Sequence, residues 1–179
     1  GPKGIGLTYI KSGTPVSPML FGGAQERNRR GGTENVPAII GFAEAVKIAE
    51  RDMDENFEKV TLLRNKFVEG IKSLSNNISI NCDEESSPYI LSVTLNSDFY
   101  KNDAEALLMF LDINGVAASN GAACTSGTLK PSHVIMALGK SQEEASGTIR
   151  FSFGAQNTKA EVDYTLDVLT KLEKRFRRF

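Results

Sequence analysis

The segment that most clearly suggests chemistry runs from Ser119 to Gly127 and places Cys124 among small and hydroxyl-bearing residues. A thiol that attacks a substrate must be accessible and partly ionised, and a glycine-rich loop between a strand and a helix leaves its sulfur sterically open. These residues predict a nucleophile at Cys124, with a small apolar filler in a turn as the alternative. The second thiol, Cys82, precedes an acidic turn, and we interpret it as a packed or edge thiol.

A second candidate is the glycine- and arginine-rich segment from Gly22 to Asn35, in which Thr33 comes directly before a helical pattern. Arginine pairs with phosphate at two points, and the start of a helix favours anions. The segment fits no nucleotide-binding spacing that we recognise. It predicts a phosphate-binding loop, and the alternative is a solvated loop in which Thr33 caps the helix.

Two further polar residues lie in patterned segments. Arg150 alternates with the apolar residues of a strand pattern over residues 149–153. A guanidinium on the polar side of such a strand can bind a carboxylate at two points, and a structural ion pair is the alternative. His133, the only histidine, follows Pro131 in a helical pattern. We interpret it as a solvated or capping residue rather than as a proton-transfer group.

Length and composition limit the class of protein. The 179 residues are 40% hydrophobic, which is enough to bury a core without metal or disulfide. The 21 basic and 22 acidic residues give a net charge of −1, which argues against a nucleic-acid partner. The two cysteines lack the spacing of a zinc site or a disulfide framework. No apolar run approaches the roughly 20 residues of a membrane span, and the first residues lack a signal-peptide pattern, so we expect a cytoplasmic protein without a membrane partner.

The hydrophobic pattern predicts the elements that position these residues. Strands are predicted at Gly4–Ile10, Ile78–Ile80, Tyr89–Leu95, Val116–Ala118 and Ile149–Phe153. Helical spacing predicts one kinked helix or two in series from Val36 to Leu74, then helices capped by Asp103, started by Pro131 and capped by Thr158. Several strands have one polar face, which favours a mixed or mostly antiparallel sheet covered by helices.

We therefore predict an α/β fold built as a small two-layer sandwich. Residues 76–179 form the C-terminal small domain, and residues 36–75 form connecting helices. Residues 1–35, a strand and a long loop, do not obviously belong to that sandwich and are interpreted as the remnant of a larger domain.

Three groups of residues, in this order, resemble the C-terminal part of NifS/IscS-like cysteine desulfurases, which belong to the class V aminotransferase group. They are Gly1–Gly6, then Gly22–Arg27 with Arg30–Asn35, then Ser119–Gly127 with Pro131–His133, Ala137–Gly139 and Ile149–Gly154. Each motif alone is weak, but their order and spacing agree over essentially the whole chain.

The resemblance implies a pyridoxal phosphate enzyme that converts L-cysteine to L-alanine and carries the sulfur as a persulfide on Cys124. It implies that Arg150 binds the substrate carboxylate, and that Thr33 contacts the cofactor phosphate of the opposite subunit in a homodimer. The segment from Ser119 to Lys130 resembles the subgroup that passes sulfur to iron–sulfur cluster scaffold proteins and to tRNA thiolation partners.

The chain departs from the family pattern at its first residues. The family's Schiff-base lysine stands in a His-Lys pair shortly before the segment matched by Gly1–Gly6, and Lys3 belongs to the later motif. We expect a C-terminal piece of the enzyme that by itself neither holds the cofactor covalently nor converts cysteine. The alternatives are a selenocysteine lyase or another class V transferase, and a non-catalytic module that docks partner proteins.

Overall fold

The computed structural model of the chain describes residues 1–120 and 131–179. They form two units, Gly1–Asp54 and Glu55–Phe179. The three-part division at residues 35 and 75 stays a prediction. The helices of the described residues are α1 (Gln25–Asn28), α2 (Val36–Arg51), α3 (Met53–Leu74), α4 (Ala104–Ile113), α5 (His133–Ala137), α6 (Gln142–Ser146) and α7 (Lys159–Phe176). The strands are β1 (Ile78–Ile80), β2 (Ile90–Leu95), β3 (Ser119–Asn120) and β4 (Thr148–Ser152).

The sheet is antiparallel throughout, with the strand order β1-β2-β4-β3. Its register places Ile78 opposite Leu95, Leu91 opposite Phe151, and Val93 opposite Ile149. Directly opposed residues of an antiparallel pair lie on the same face of the sheet. One face is therefore apolar from β1 through β4, and the antiparallel, one-face-buried sheet predicted from the alternation is confirmed.

Helices α3, α4 and α7 supply the side chains that pack on this apolar face. Phe67 of α3 makes edge-to-face contact with Phe151, with ring centroids 5.0 Å apart. Leu107 and Leu111 of α4 and Leu169 of α7 belong to the same buried cluster. In all three helices the buried residues recur at helical spacing and form one face.

The long helical pattern forms two helices in series, separated by Asp52, which confirms the second of the two predicted forms. Asp103 caps α4 by accepting a hydrogen bond from the Ala106 N–H. Thr158 and Glu161 form a capping box at the start of α7. These caps lie where the sequence placed them.

Two predicted strands are wrong. Residues 4–10 form no strand, because a strand requires a paired backbone and the described residues offer this segment none. The strand expected at Val116–Ala118 begins later, at Ser119, because Gly115, with φ of 72°, ends α4 and the chain needs three more residues to reach the sheet. The short helix α6 was not predicted, since five residues are too few to show helical periodicity.

The C-terminal residues hold the chain end to the loop between β2 and α4. The Tyr100 hydroxyl donates to Glu173 Oε1 at 3.2 Å, and burial raises the pKa of Tyr100. Arg178 Nε donates to the Tyr100 carbonyl at 2.9 Å, and the guanidinium also pairs with Glu143. Arg178 thus ties the chain end to two other segments.

None of the helices in the described residues has the length and the apolar composition needed to cross a membrane.

Candidate functional site

The second face of the sheet is lined by hydroxyl groups. The strand registers place Ser92 and Ser119 on either side of Arg150, one on each neighbouring strand. Alternation along the strands adds a further set of residues to this face: Ser79, Thr94, Thr148 and Ser152. The prediction that Arg150 lies on the polar side of its strand is confirmed.

Hydrogen bonds join these side chains into a network. Asn81 Nδ2 donates to Ser92 Oγ at 3.0 Å and to Thr94 Oγ1 at 2.8 Å. The Thr94 and Thr148 hydroxyls lie 2.7 Å apart and are buried, and Thr148 also donates to the Glu144 carbonyl at 3.0 Å. Because these four side chains are hydrogen-bonded to one another, this part of the face keeps a fixed arrangement under α6.

Arg150 is not part of this network. Its side chain is half-buried, and its Nε is enclosed without a hydrogen-bond partner in the described residues. No ion pair formed by the described residues includes Arg150, so the alternative of a structural ion pair receives no support there. An enclosed, unpaired donor costs about 1–3 kcal/mol, which an acceptor such as a carboxylate oxygen would recover.

Lys140 and Glu144 complete the polar face at its β1 end. Lys140 Nζ donates to Ser79 Oγ at 3.1 Å and lies 3.5 Å from Glu144 Oε1. The Ser141 backbone N–H donates to Glu144, and this bond, together with Lys140, holds the pKa of Glu144 below its ordinary value. Neither residue is predicted from the sequence. The signal that could have found Glu144 is the Ser-x-x-Glu pattern of a capping box at Ser141–Glu144.

Cys124, the predicted nucleophile, lies outside the described residues. The segment that contains Cys124 directly follows β3 in the sequence. β3 pairs with β4, the strand that carries Arg150. Its role therefore stays a prediction. Cys82 is described: its sulfur accepts a hydrogen bond from the Ser92 N–H at 3.4 Å, and the side chain packs against the core. This agrees with the interpretation of a packed thiol.

His133 is the first residue of α5 and is exposed. Its neighbour Ser132 occupies the N-cap position, although the Ser132 side chain makes no capping hydrogen bond. The placement agrees with the interpretation of His133 as a solvated residue, while the capping position belongs to Ser132.

The predicted phosphate loop folds on itself within the first unit. Gly31 packs so closely on Gly22 that a Cβ at Gly31 would lie 2.6 Å from the Gly22 nitrogen, which explains the glycine there. Gln25 Oε1 accepts from the Gly32 N–H at 3.0 Å, and Arg30 Nη1 donates to the carbonyls of Gly32 and Thr33 at 3.3 and 3.4 Å. These bonds fix the backbone that carries Thr33.

Thr33 does not cap α2, so the capping alternative is wrong. Asn35 is the N-cap and accepts from the Ala38 N–H at 3.3 Å, while the Val36 N–H donates to the Glu34 carbonyl. The start of α2 thus has few donors left for an anion. The Thr33 hydroxyl is exposed and makes no hydrogen bond with the described residues, which leaves it able to bind a phosphate oxygen. The Thr33 hydroxyl can therefore bind a cofactor phosphate, whereas the N-terminus of α2 lacks the free N–H donors to do so.

Comparison with known proteins identifies the family. The class-V aminotransferase family model matches residues 1–165. The chain therefore belongs to the class-V aminotransferase family.

The curated relatives are named as desulfurases. The chain is 40% identical over 177 residues to the cysteine desulfurase IscS of Dictyoglomus turgidum, covering 99% of this chain and 44% of that protein. It is 44% identical over 168 residues to a cysteine desulfurase of Gluconacetobacter diazotrophicus, covering 94% of this chain and 41% of that protein. The chain thus spans less than half the length of the curated relatives it matches. The resemblance to NifS/IscS-like proteins is confirmed.

Solved structures agree with this assignment. A NifS-like protein superposes with a TM-score of 0.79 at 35% identity, covering 98% of this chain and 44% of that one. A NifS-like protein from Rickettsia africae superposes with a TM-score of 0.74 at 28% identity, covering 90% of this chain and 41% of that one. These likenesses confirm the α/β class.

Proposed function

We propose that this chain supplies the C-terminal part of a pyridoxal phosphate-dependent cysteine desulfurase, with L-cysteine as substrate and L-alanine as product. The observation that carries the proposal is the enclosed Nε of Arg150, which has no hydrogen-bond partner in the described residues and lies on the polar face of the sheet. The names of the relatives support the reaction class. We further propose a cytoplasmic location, which is the expectation drawn from the sequence.

In this proposal Arg150 binds the carboxylate of the substrate. The guanidinium offers a planar fork of donors, and its position between Ser92 and Ser119 holds it at a fixed place in the sheet. Because the paired hydroxyls of Thr94 and Thr148 already satisfy each other, they do not compete for the guanidinium. Arg150 therefore orients the amino acid rather than taking part in bond breaking.

Thr33 is proposed to bind the phosphate of the cofactor through its exposed hydroxyl, across the interface of a homodimer. The bonds that Arg30 makes to the Gly32 and Thr33 carbonyls hold this segment in shape without using the Thr33 hydroxyl. When bound, pyridoxal phosphate supplies the electron sink of the reaction. The printed sequence has a single histidine, followed by Val134, and so contains no His-Lys pair. We propose that the chain alone neither holds the cofactor covalently nor converts cysteine.

Cys124 is proposed to receive the sulfur. Its thiolate forms a bond to the sulfur of L-cysteine, the carbon–sulfur bond of the substrate breaks, and its electron pair stays with the carbon. That carbon gains a proton to give L-alanine, and Cys124 is left as a persulfide. One thiol and one L-cysteine thus give one L-alanine and one persulfide, whose outer sulfur passes to an acceptor such as an iron–sulfur scaffold protein.

The test uses the full-length protein that contains this chain, loaded with cofactor. Cys124→Ser should abolish sulfide and alanine release while the cofactor absorbance and the binding of acceptor proteins are retained. The matched control, Cys82→Ser, should keep activity, because that thiol packs against the core. If Cys124→Ser keeps sulfur transfer but loses partner binding, the desulfurase proposal is wrong and a docking module is favoured. Faster turnover of selenocysteine than of cysteine would favour a selenocysteine lyase.

The role of Arg150 has its own signature in the same assay. Arg150→Gln should raise the KM for L-cysteine by about 10- to 100-fold, the value of a charge-assisted hydrogen bond, with a smaller change in kcat. Ser152→Ala, on the same face and exposed, is the control and should change KM by less than about twofold. An unchanged KM in Arg150→Gln would remove the carboxylate role.

A further inference from the structure

A groove of 840 Å³ opens between α3 and β1, away from the polar face of the sheet. β1 is the edge strand on this side among the described residues. Apolar side chains, among them Phe57, Val68 and Ile80, line part of the groove. The volume lies within the range of small-molecule sites, so the groove is large enough for a ligand of a few carbon atoms.

Arg64 lies in the wall of this groove. Its side chain is buried, with 8% of the residue surface exposed, and Nη2 donates to the Asp83 carbonyl at 2.9 Å. Nε is enclosed and has no hydrogen-bond partner among the described residues. Most buried arginines are fully paired, since an unpaired charged donor is unfavourable. The Arg64 guanidinium is therefore incompletely hydrogen-bonded by the protein and has N–H groups left to donate to an oxyanion.

The charges around the groove select the kind of anion. Lys72 joins Arg64 on the basic side, while Glu69, Asp83 and Glu84 also line the groove. Hydrogen bonds from Ser86 lower the pKa of Asp83, so this carboxyl stays ionised. Three acidic against two basic side chains disfavour a ligand with several negative charges. A single carboxylate on a short apolar group matches both the guanidinium and the apolar lining.

We propose that this groove is a binding site for a small monocarboxylate. A carboxylate oxygen accepts from the Arg64 guanidinium, and the hydrocarbon part packs on Phe57, Val68 and Ile80. The site uses none of the residues assigned to the desulfurase reaction, so the proposal does not depend on that function.

The test is a titration of the protein with isobutyrate at constant ionic strength, followed by NMR of arginine side chains labelled with ¹⁵N. The Nε–H signal of Arg64 should shift saturably, with half-saturation at about 1–10 mM, the range expected for six heavy atoms. Isobutyramide has the same shape without the charge and should give no saturable shift. Inorganic phosphate should also give none. A shift that never saturates, or one that is equal for the amide, overturns the proposal.

Two variants locate the binding on Arg64. Arg64→Lys keeps the charge but lacks Nε and the planar fork, and should weaken isobutyrate binding at least tenfold, as followed by the backbone amide of Ile80. Lys72→Gln, exposed at the same groove, should change the affinity less than threefold. If Arg64→Lys fails to fold, the wild-type titration with its amide control still decides. Unweakened binding in a folded Arg64→Lys variant would show that the ligand binds elsewhere.

Discussion

The two units of this chain bury their apolar residues very differently. Every buried side chain of the described residues lies in Glu55–Phe179, and none lies in Gly1–Asp54. Ile71 of α3 is fully buried, whereas Ile40 of α2 is 65% exposed, although both lie on the apolar stripe of a helix. Helical spacing identifies an apolar stripe, but whether the stripe is covered depends on the rest of the fold.

The difference extends to what holds each unit together. The second unit has a core shared by three helices and a sheet. The first has local hydrogen bonds, such as those of Arg30, Gln25 and the Asn35 cap. Local bonds contribute little free energy each, while a shared core contributes cooperatively. We therefore expect cooperative unfolding in the second unit and graded opening in the first.

The largest contrast is expected for matched truncations of two isoleucines. Ile71→Ala should lower the free energy of unfolding by about 2–5 kcal/mol, because it leaves a cavity in the core. Ile40→Ala should change it by less than about 0.5 kcal/mol, because the side chain is mostly exposed. Urea unfolding followed by circular dichroism measures both. Equal losses in the two variants would contradict the comparison.

Helix caps should give a smaller contrast of the same kind. Thr158→Ala removes the capping box of α7 and should cost about 1 kcal/mol of global stability. Asn35→Ala removes the cap of α2, and should increase hydrogen exchange at Ala38 without moving the unfolding midpoint of the second unit. A global midpoint that shifts equally with both variants would show that the units unfold together.

The smallest expected effect is a pH dependence that arises from Glu144. Its pKa is lowered in the folded protein, so its contribution is present above the ordinary value of 4.5 and is lost as the pH falls through the folded pKa. The urea midpoint of wild-type protein should therefore fall between about pH 6 and about pH 3 by more than that of Glu144→Gln, which cannot ionise.

Asp52 supplies the control for this measurement. Its pKa is lowered by the hydrogen bond from Arg51, but it lies in the first unit, outside the buried core of the second. Asp52→Asn should leave the acid sensitivity of the second unit unchanged. If Asp52→Asn reduced the acid sensitivity of the second unit as much as Glu144→Gln does, the effect would not arise specifically from Glu144.

Local patterns predicted most of the second unit. The alternation at Leu91, Val93 and Phe151 gave both strands and their buried face, because an antiparallel sheet covered on one side imposes that alternation. The strand predicted at residues 4–10 is wrong because strand pairing depends on distant segments. A β-branched run does not show whether a pairing partner exists. Helix α6 was missed because only its capping box marks it.

The sequence singles out candidate site residues one by one but not the network around them. Arg150 was proposed because it alternates with apolar residues, and Thr33 because it directly precedes a helical pattern. The partners of Asn81 and the unpaired Nε atoms of Arg150 and Arg64 depend on which segments the fold brings together. A sequence shows the type of a side chain and its spacing, whereas hydrogen-bond satisfaction is decided across distant segments.

The division of the sheet into a hydrocarbon side and a hydroxyl side constrains how the sequence can change in length. Shifting β2 by one position would turn Ser92 and Thr94 towards the apolar core and expose Leu91 and Val93 on the other face. Insertions and deletions within the strands are therefore barred, while the turn at residues 83–88 can absorb them. Length variation among relatives should concentrate in that turn.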